Sequence, residues 1–314
     1  MKTQLRTAAA ALTLAVTSTL GVVAAAPASA IDPVGFDHIT SCADPKLNAF
    51  DSWSGHTMSS YKNTNWVPQG MTYDASGDLL YVSMYHRDAL EVPRVVVFKR
   101  STSAWVKTIE LSAVPKTGHV GGLTIGRGNL YVADSAGGSY IYRIPLDRIR
   151  AVPAGSRRGV TIAAKYRLQD SAGANLPRAS YVDYDAGYLY VGDFYGNVMR
   201  RYPTATEGYV TVRSNGSYGT PSIVQGVQVT SGHFVFSRSW GRDNLSKVTT
   251  QVRSTGARSD HNTLPMMEGI VWAPAAAGST TIRLYSVFES TSLEYADSNC
   301  RTHQIWSASS GYIL

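Results

Sequence analysis

One short phrase recurs five times along this chain, and it restricts the fold more tightly than anything else in the sequence. The clearest copy is Val67-Pro68-Gln69-Gly70-Met71-Thr72-Tyr73-Asp74, followed by Leu79-Leu80-Tyr81-Val82-Ser83. The others centre on Gly121-Gly122-Leu123, Ser180-Tyr181-Val182, Gln225-Gly226-Val227 and Glu268-Gly269-Ile270. Each is followed by a second apolar run: Leu130-Tyr131-Val132, Leu189-Tyr190-Val191, Phe234-Val235-Phe236 and Leu284-Tyr285-Ser286. Aligning Gly70, Gly122, Tyr181, Gly226 and Gly269 gives steps of 52, 59, 45 and 43 residues. A repeat of roughly 40–50 residues made of several short strands is the pattern of a propeller blade, which buries its faces only by stacking on neighbours. The expected fold is all-β, a single β-propeller of five blades, with six as the alternative if residues 36–66 make a degenerate blade.

Within the first repeat the expected strands are 70–74, 79–84, 94–99 and 105–111, with Asp74-Ala75-Ser76-Gly77-Asp78 as the first hairpin turn. The second repeat places its outer strands at 140–144 and 162–168, with a surface loop over 152–158. The third places them at 198–202 and 209–212. The fifth ends with a third strand at 303–307 and runs out of chain before a fourth. The segment 31–66 has one strand to spare, at 57–61. An open ring would leave unpaired strand edges, so strands from the two ends are expected to close it.

Residues 1–30 carry Lys2 and Arg6, a soft apolar stretch and the small-residue site Ala28-Ser29-Ala30, which together read as a secretory signal rather than a membrane anchor. Segment 31–66 then contributes to ring closure, and 67–314 forms the propeller. Without Lys2 and Arg6 the chain keeps 27 basic against 22 acidic side chains, with the arginines scattered. That charge suits solubility and excludes a nucleic-acid stripe. No later stretch is long and apolar enough to span a bilayer. Two cysteines, Cys42 near one end and Cys300 near the other, form one disulfide in an exported chain.

The chemistry-bearing positions fall at the axis end of each repeat. Inner strands line a propeller's channel, so Gln69, Ser180, Gln225 and Glu268, each one residue before the aligned position, converge at one mouth, and His119 reaches the same place. Asp183 stands two residues further along the third inner strand. Amides, a hydroxyl and carboxylates form a hard-oxygen set suited to calcium or another divalent cation, or to a polar ligand, with Glu268 as the metal ligand. The same groups also suit plain bonding to backbone and water. A second ring, His86, Asp134, Asp193, Arg238 and Glu289, lies at the ends of the second strands. Asp134 and Asp193 share one slot and read as turn caps, while the mixture of bases and acids also suits an anionic ligand. Tyr85, Phe194, Tyr195 and Trp240 offer a stacking wall for a sugar or peptide.

Met267-Glu268-Gly269-Ile270-Val271-Trp272 resembles the Glu-Gly-Pro-x-Trp phrase of the regucalcin and gluconolactonase family, and Pro68-Gln69-Gly70-Met71 resembles its Pro-Asp-Gly-Met phrase. The resemblance implies a propeller with a catalytic divalent metal held by carboxylates at these two phrases. Glu268 matches the first ligand; Gln69 stands where the second acid belongs, Ile270 replaces the proline, and the two phrases come in reversed order. In general type the chain also resembles small secreted actinobacterial propellers. No Gly-x-Ser-x-Gly elbow, His-Glu-x-x-His or phosphate-cradling loop occurs. The expected function is that of a secreted monomeric propeller binding an extracellular protein or glycan through one rim. The alternatives are a metal-dependent lactonase or esterase, and a polysaccharide-degrading enzyme using Asp183, Asp193 and Glu268.

Overall fold

A computed structural model describes residues 35–47 and 54–314. The secretory signal expected at 1–30 lies outside the described residues.

The first described strand, β1 (Ser54–Thr57), belongs to the last sheet of the ring. The next four, β2 (Trp66–Asp74), β3 (Leu79–His86), β4 (Arg94–Lys99) and β5 (Trp105–Glu110), form blade 1 in sequence order. Blade 2 begins with β6 (Gly122–Gly126), β7 (Asn129–Asp134) and β8 (Tyr140–Pro145). A short helix, α1 (Leu146–Arg150), then leads to β9 (Arg157–Gly159), and β10 (Ala164–Arg167) completes blade 2. The stretch 152–158, expected as plain loop, instead contributes to β9, which pairs parallel with β5 as a fifth strand of blade 1.

Blade 3 is β11 (Tyr181–Asp185), β12 (Tyr188–Gly192), β13 (Val198–Pro203) and β14 (Gly216–Gly219). Its outer strand was expected at 209–212. That stretch folds back on itself instead: Ala205 N bonds Tyr209 O across Gly208, whose φ is +81°, and the blade edge passes to β14. Blade 4 is β15 (Val224–Val229), β16 (His233–Arg238), β17 (Ser246–Val252) and β18 (Arg258–Thr263). Blade 5 is β19 (Met267–Pro274), β20 (Ile282–Phe288) and β21 (Gln304–Ser309), with β1 as its outermost strand. The closing strand therefore lies at 54–57; residues 58–61 form a turn, Tyr61 N to Met58 O. The segment before blade 1 supplies one strand and not a blade, so the ring has five.

Sequence dictates the hairpins locally. β6–β7 and β11–β12 are joined by two-residue turns whose central residues all have positive φ: Arg127 (+51°) with Gly128 (+69°), and Ala186 (+47°) with Gly187 (+87°). That backbone twist matches the twist of the flanking strands. The second strands are apolar on both faces because both faces are buried. In β3, Leu80 and Val82 pack toward blade 5 while Tyr81 packs toward blade 2; in β7, Leu130 and Val132 face blade 1 while Tyr131 and Ala133 face blade 3. Five apolar clusters result, one in each gap between neighbouring blades.

The aligned glycines explain how the ring closes at its centre. A Cβ on Gly70 would lie 2.6 Å from Leu123 N, one on Gly122 2.6 Å from Val182 N, and one on Gly269 2.4 Å from Met71 N. These inner strands meet backbone to backbone, with no room for a methyl group. Blade 3 has Tyr181 in the slot, and there its partner is reduced instead: Gly192 faces the tyrosine ring, where any Cβ would overlap its hydroxyl. Serines stitch two of the seams, Ser83 Oγ donating to Val120 O (2.6 Å) and Ser237 Oγ to Glu268 O. The Cys42–Cys300 disulfide joins segments 258 residues apart, and a loop of that length contributes on the order of 4–5 kcal/mol by restricting the unfolded chain.

Gly269→Ala should cost about 3 kcal/mol through overpacking. Gly232→Ala, at an exposed turn with open space around it, should stay within about 0.5 kcal/mol. Urea unfolding of the two variants checks the difference; equal midpoints would show that the inner strands can spread without cost.

Candidate functional site at the channel mouth

Three inner strands are bulged where the channel opens. Pairing is interrupted between Pro68 and Met71 in β2, between Val224 and Gly226 in β15 and between Met267 and Ile270 in β19. The residues that fall in these interruptions are Gln69 with Gly70, Gln225, and Glu268 with Gly269. A bulge re-aims side chains and ends regular pairing, and here it frees the polar side chains of Gln69, Gln225 and Glu268. The backbone just ahead of two of them is constrained as well: Ile223 (φ +62°) and Met266 (φ +60°) occupy the left-handed region, costly for a β-branched residue.

The result is a partly open cavity of about 480 Å³, lined by Gln69, His119, Gly121, Ser135, Arg178, Ser180, Phe194, Tyr195, Gln225, Glu289 and Tyr295. The Gln69 amide donates to Glu289 Oε1 at 2.6 Å and to Pro68 O at 3.0 Å. The Gln225 amide donates to Ser239 Oγ at 3.1 Å. Glu268, 1% exposed, lies against Gln225 and Ser239, and its Oε1 has no hydrogen-bond partner. Glu289 opens the 3-10 turn Glu289–Thr291, and the following turn, Leu293–Tyr295, brings Tyr295 against it.

Burial dominates the electrostatics. Desolvation, and then the charge of Glu289, holds the Glu268 carboxyl well above the ordinary range. Glu289 is pushed up to about 7, first by desolvation, against hydrogen bonds from Tyr295 and Gln69. The Tyr85 and Tyr295 hydroxyls are raised too, by burial and by these acids. Desolvation lowers the His119 imidazole to about 4, so it is neutral; its ring lies 4.7 Å from that of Tyr85. On the other side stand Phe194, parallel to Trp240 at 6.2 Å, and the exposed Tyr195, with the Arg178 guanidinium 5.0 Å from its ring.

Gln69, His119, Ser180 and Gln225 thus line one pocket, and Glu268 borders it. Asp183 sits deeper: Thr124 Oγ1 (3.0 Å) and Val229 N (2.6 Å) donate to it, so it ties three inner strands together, with its carboxyl raised to about 7 by burial. The second ring does not converge. Asp134 caps a turn, accepting from His119 N and Ala136 N. Asp193 accepts from Tyr195 N. His86 accepts from Asp88 N and packs edge-on against Trp66. Arg238 turns toward Ser222 O and Asp260. Only Glu289 of that set reaches the pocket. Tyr295 was not foreseen, because it lies in the irregular stretch after β20 and outside every repeat. Among the described residues no three or more His, Cys, Asp or Glu side chains stand together as a metal would require. Gln69 donates its amide nitrogen to Glu289, so the second carboxylate near Glu268 is Glu289 and not the residue at the position that the family resemblance implies.

No protein-family model matches the chain, and no curated protein matches it. Solved structures are similar to the chain at low identity. The chain is similar to the glutaminyl cyclase of Myxococcus xanthus (12% identity, TM-score 0.48, covering 82% of this chain and 94% of that one). It is also similar to the tail fibre of Staphylococcus aureus phage P68 (10%, 0.46, covering 82% and 52%) and to the hydrazine synthase of Kuenenia stuttgartiensis (11%, 0.40, covering 71% and 57%).

The raised acids give a signed pH effect. Between the ordinary glutamate value of 4.5 and about 7, the folded protein keeps a proton on Glu289 that the unfolded chain has lost. Stability from this group is therefore full below that window and declines as pH rises through it. Glu289→Gln should flatten the decline and be more stable than the parent at neutral pH; urea unfolding across the window measures it, and parallel curves for the two proteins would contradict it.

Proposed function

We propose that the protein is an extracellular, monomeric binding propeller that takes a polar group of a protein or glycan partner into the channel mouth. The observation that carries this reading is the pocket's division: amides, a hydroxyl and acids from the inner strands form the floor, and aromatic side chains of blades 3 and 4 form one wall. Few precisely placed polar groups beside aromatic surface are what a recognition pocket for a small polar group requires. The disulfide between the two ends of the ring agrees with an exported protein. The acid pair favours a second reading, hydrolysis of a lactone, ester or glycan; turnover of such a compound that vanishes in Glu268→Gln would put it first.

A panel of soluble oligosaccharides and peptides, titrated while tryptophan fluorescence is followed, tests the binding reading. A saturable signal is expected from Trp240, beside Phe194. Tyr195 is 63% exposed, so Tyr195→Ala should leave the melting temperature unchanged and weaken binding about five- to tenfold. Binding that is indifferent to Tyr195→Ala would move the site elsewhere.

A further inference from the structure

The amide nitrogens on the floor of the pocket are already engaged. The Gln69 amide nitrogen is spent on Glu289 and Pro68 O, and that of Gln225 on Ser239. Their amide oxygens are left as the acceptors they can offer. Beside them stand two carboxyls, and Glu268 Oε1 is buried with nothing bonded to it. Among the described residues neither glutamate is ion-paired to a lysine or arginine. Arg242, whose charge reaches Glu289, is held by Asp297 and Glu294. Ser239 and Gln225 meet the Glu268 carboxyl on one side only, and an acid pair with a buried unpartnered oxygen favours a neighbour that brings donors and positive charge.

Free amide oxygens beside an acid pair favour a ligand rich in donors and carrying positive charge, and the compact group of that kind is a primary ammonium, with three N–H donors and no acceptor. We propose that the channel mouth binds a primary ammonium group at Glu289, in front of the buried Glu268, with the rest of the ligand lying toward Phe194 and Tyr195. This rests on the reading of the pocket as the binding site. The ammonium donates to the Glu289 carboxylate and to an amide oxygen of the floor, with the buried Glu268 behind them adding to the negative field. Two sources carry this group, the amino terminus of a peptide and an amino sugar.

Calorimetric titration of the full chain at neutral pH with glycinamide and with glucosamine, each beside its N-acetyl counterpart, tests the proposal. At least one amine is expected to bind, with its N-acetyl form at least about tenfold weaker, as loss of a charge-assisted hydrogen bond implies. The amine that binds identifies the source. Glu289→Gln should produce a similar loss, and Glu268→Gln is the second variant if the first does not fold. An N-acetyl compound that binds as tightly as its amine, and still depends on Tyr195, would overturn the ammonium while leaving the pocket in place. Failure of both amines to bind overturns it also. So does calcium chloride alone raising the melting temperature through Glu268 and Glu289, which would assign the acids to a metal.

Discussion

Backbone packed against backbone at the centre of the ring is the contact from which the rest follows. With no side chain between them, β2 and β6, β6 and β11, and β19 and β2 approach until a single added carbon would collide with a main-chain atom. Such proximity is reached only if every blade presents its inner strand at the same depth. The chain meets that demand with a glycine in four repeats and, in the third, by moving the glycine to the facing strand at Gly192. Ring closure then asks for an outer strand on blade 5, supplied by β1, and the Cys42–Cys300 disulfide fastens the two ends.

The narrow channel also determines the chemistry at its mouth. Strands this close leave little room for water, so polar groups there must satisfy one another or remain exposed to desolvation. Deeper down they succeed: Asp183 accepts from two neighbouring strands, and Gln228 Oε1 accepts from Trp272 N. At the mouth they succeed only in part, and Glu268 Oε1 has no partner. Bulges turn Gln69, Gln225 and Glu268 out of register, the segment after β20 brings in Glu289 and Tyr295, and the two acids meet with no cation of their own. The same geometry that makes the ring tight therefore leaves an uncompensated site at one end of it.

Much of this was legible in the sequence because the repeat is physical. Polar-glycine pairs inside apolar runs, Gln69-Gly70, Gln225-Gly226 and Glu268-Gly269, mark both the closest approach of the strands and the bulges beside it. The Leu-Tyr-Val runs mark strands buried on both faces. What could not be read depends on segments without periodicity. Tyr209–Val212 has strand-like composition, yet a turn at Gly208 folds it onto its own chain. Arg157–Gly159 reads as loop, yet its backbone finds the open edge of β5. The second ring looked convergent because its members share a slot in the alignment. The short turns after each second strand differ, however, and send His86 and Arg238 away from the axis while Glu289 goes toward it.

The central claim is that the ring holds a buried Glu268 and a half-buried Glu289 side by side without a cation, and carbon-13 NMR of the side-chain carboxyls tests it most directly. With glutamate labelled and the two signals assigned from Glu268→Gln and Glu289→Gln, the account predicts that Glu289 titrates near 7 and that Glu268 titrates well above the ordinary glutamate value. Titration of both groups near the ordinary value of 4.5 would mean that water or a cation reaches the pair, and would contradict the account.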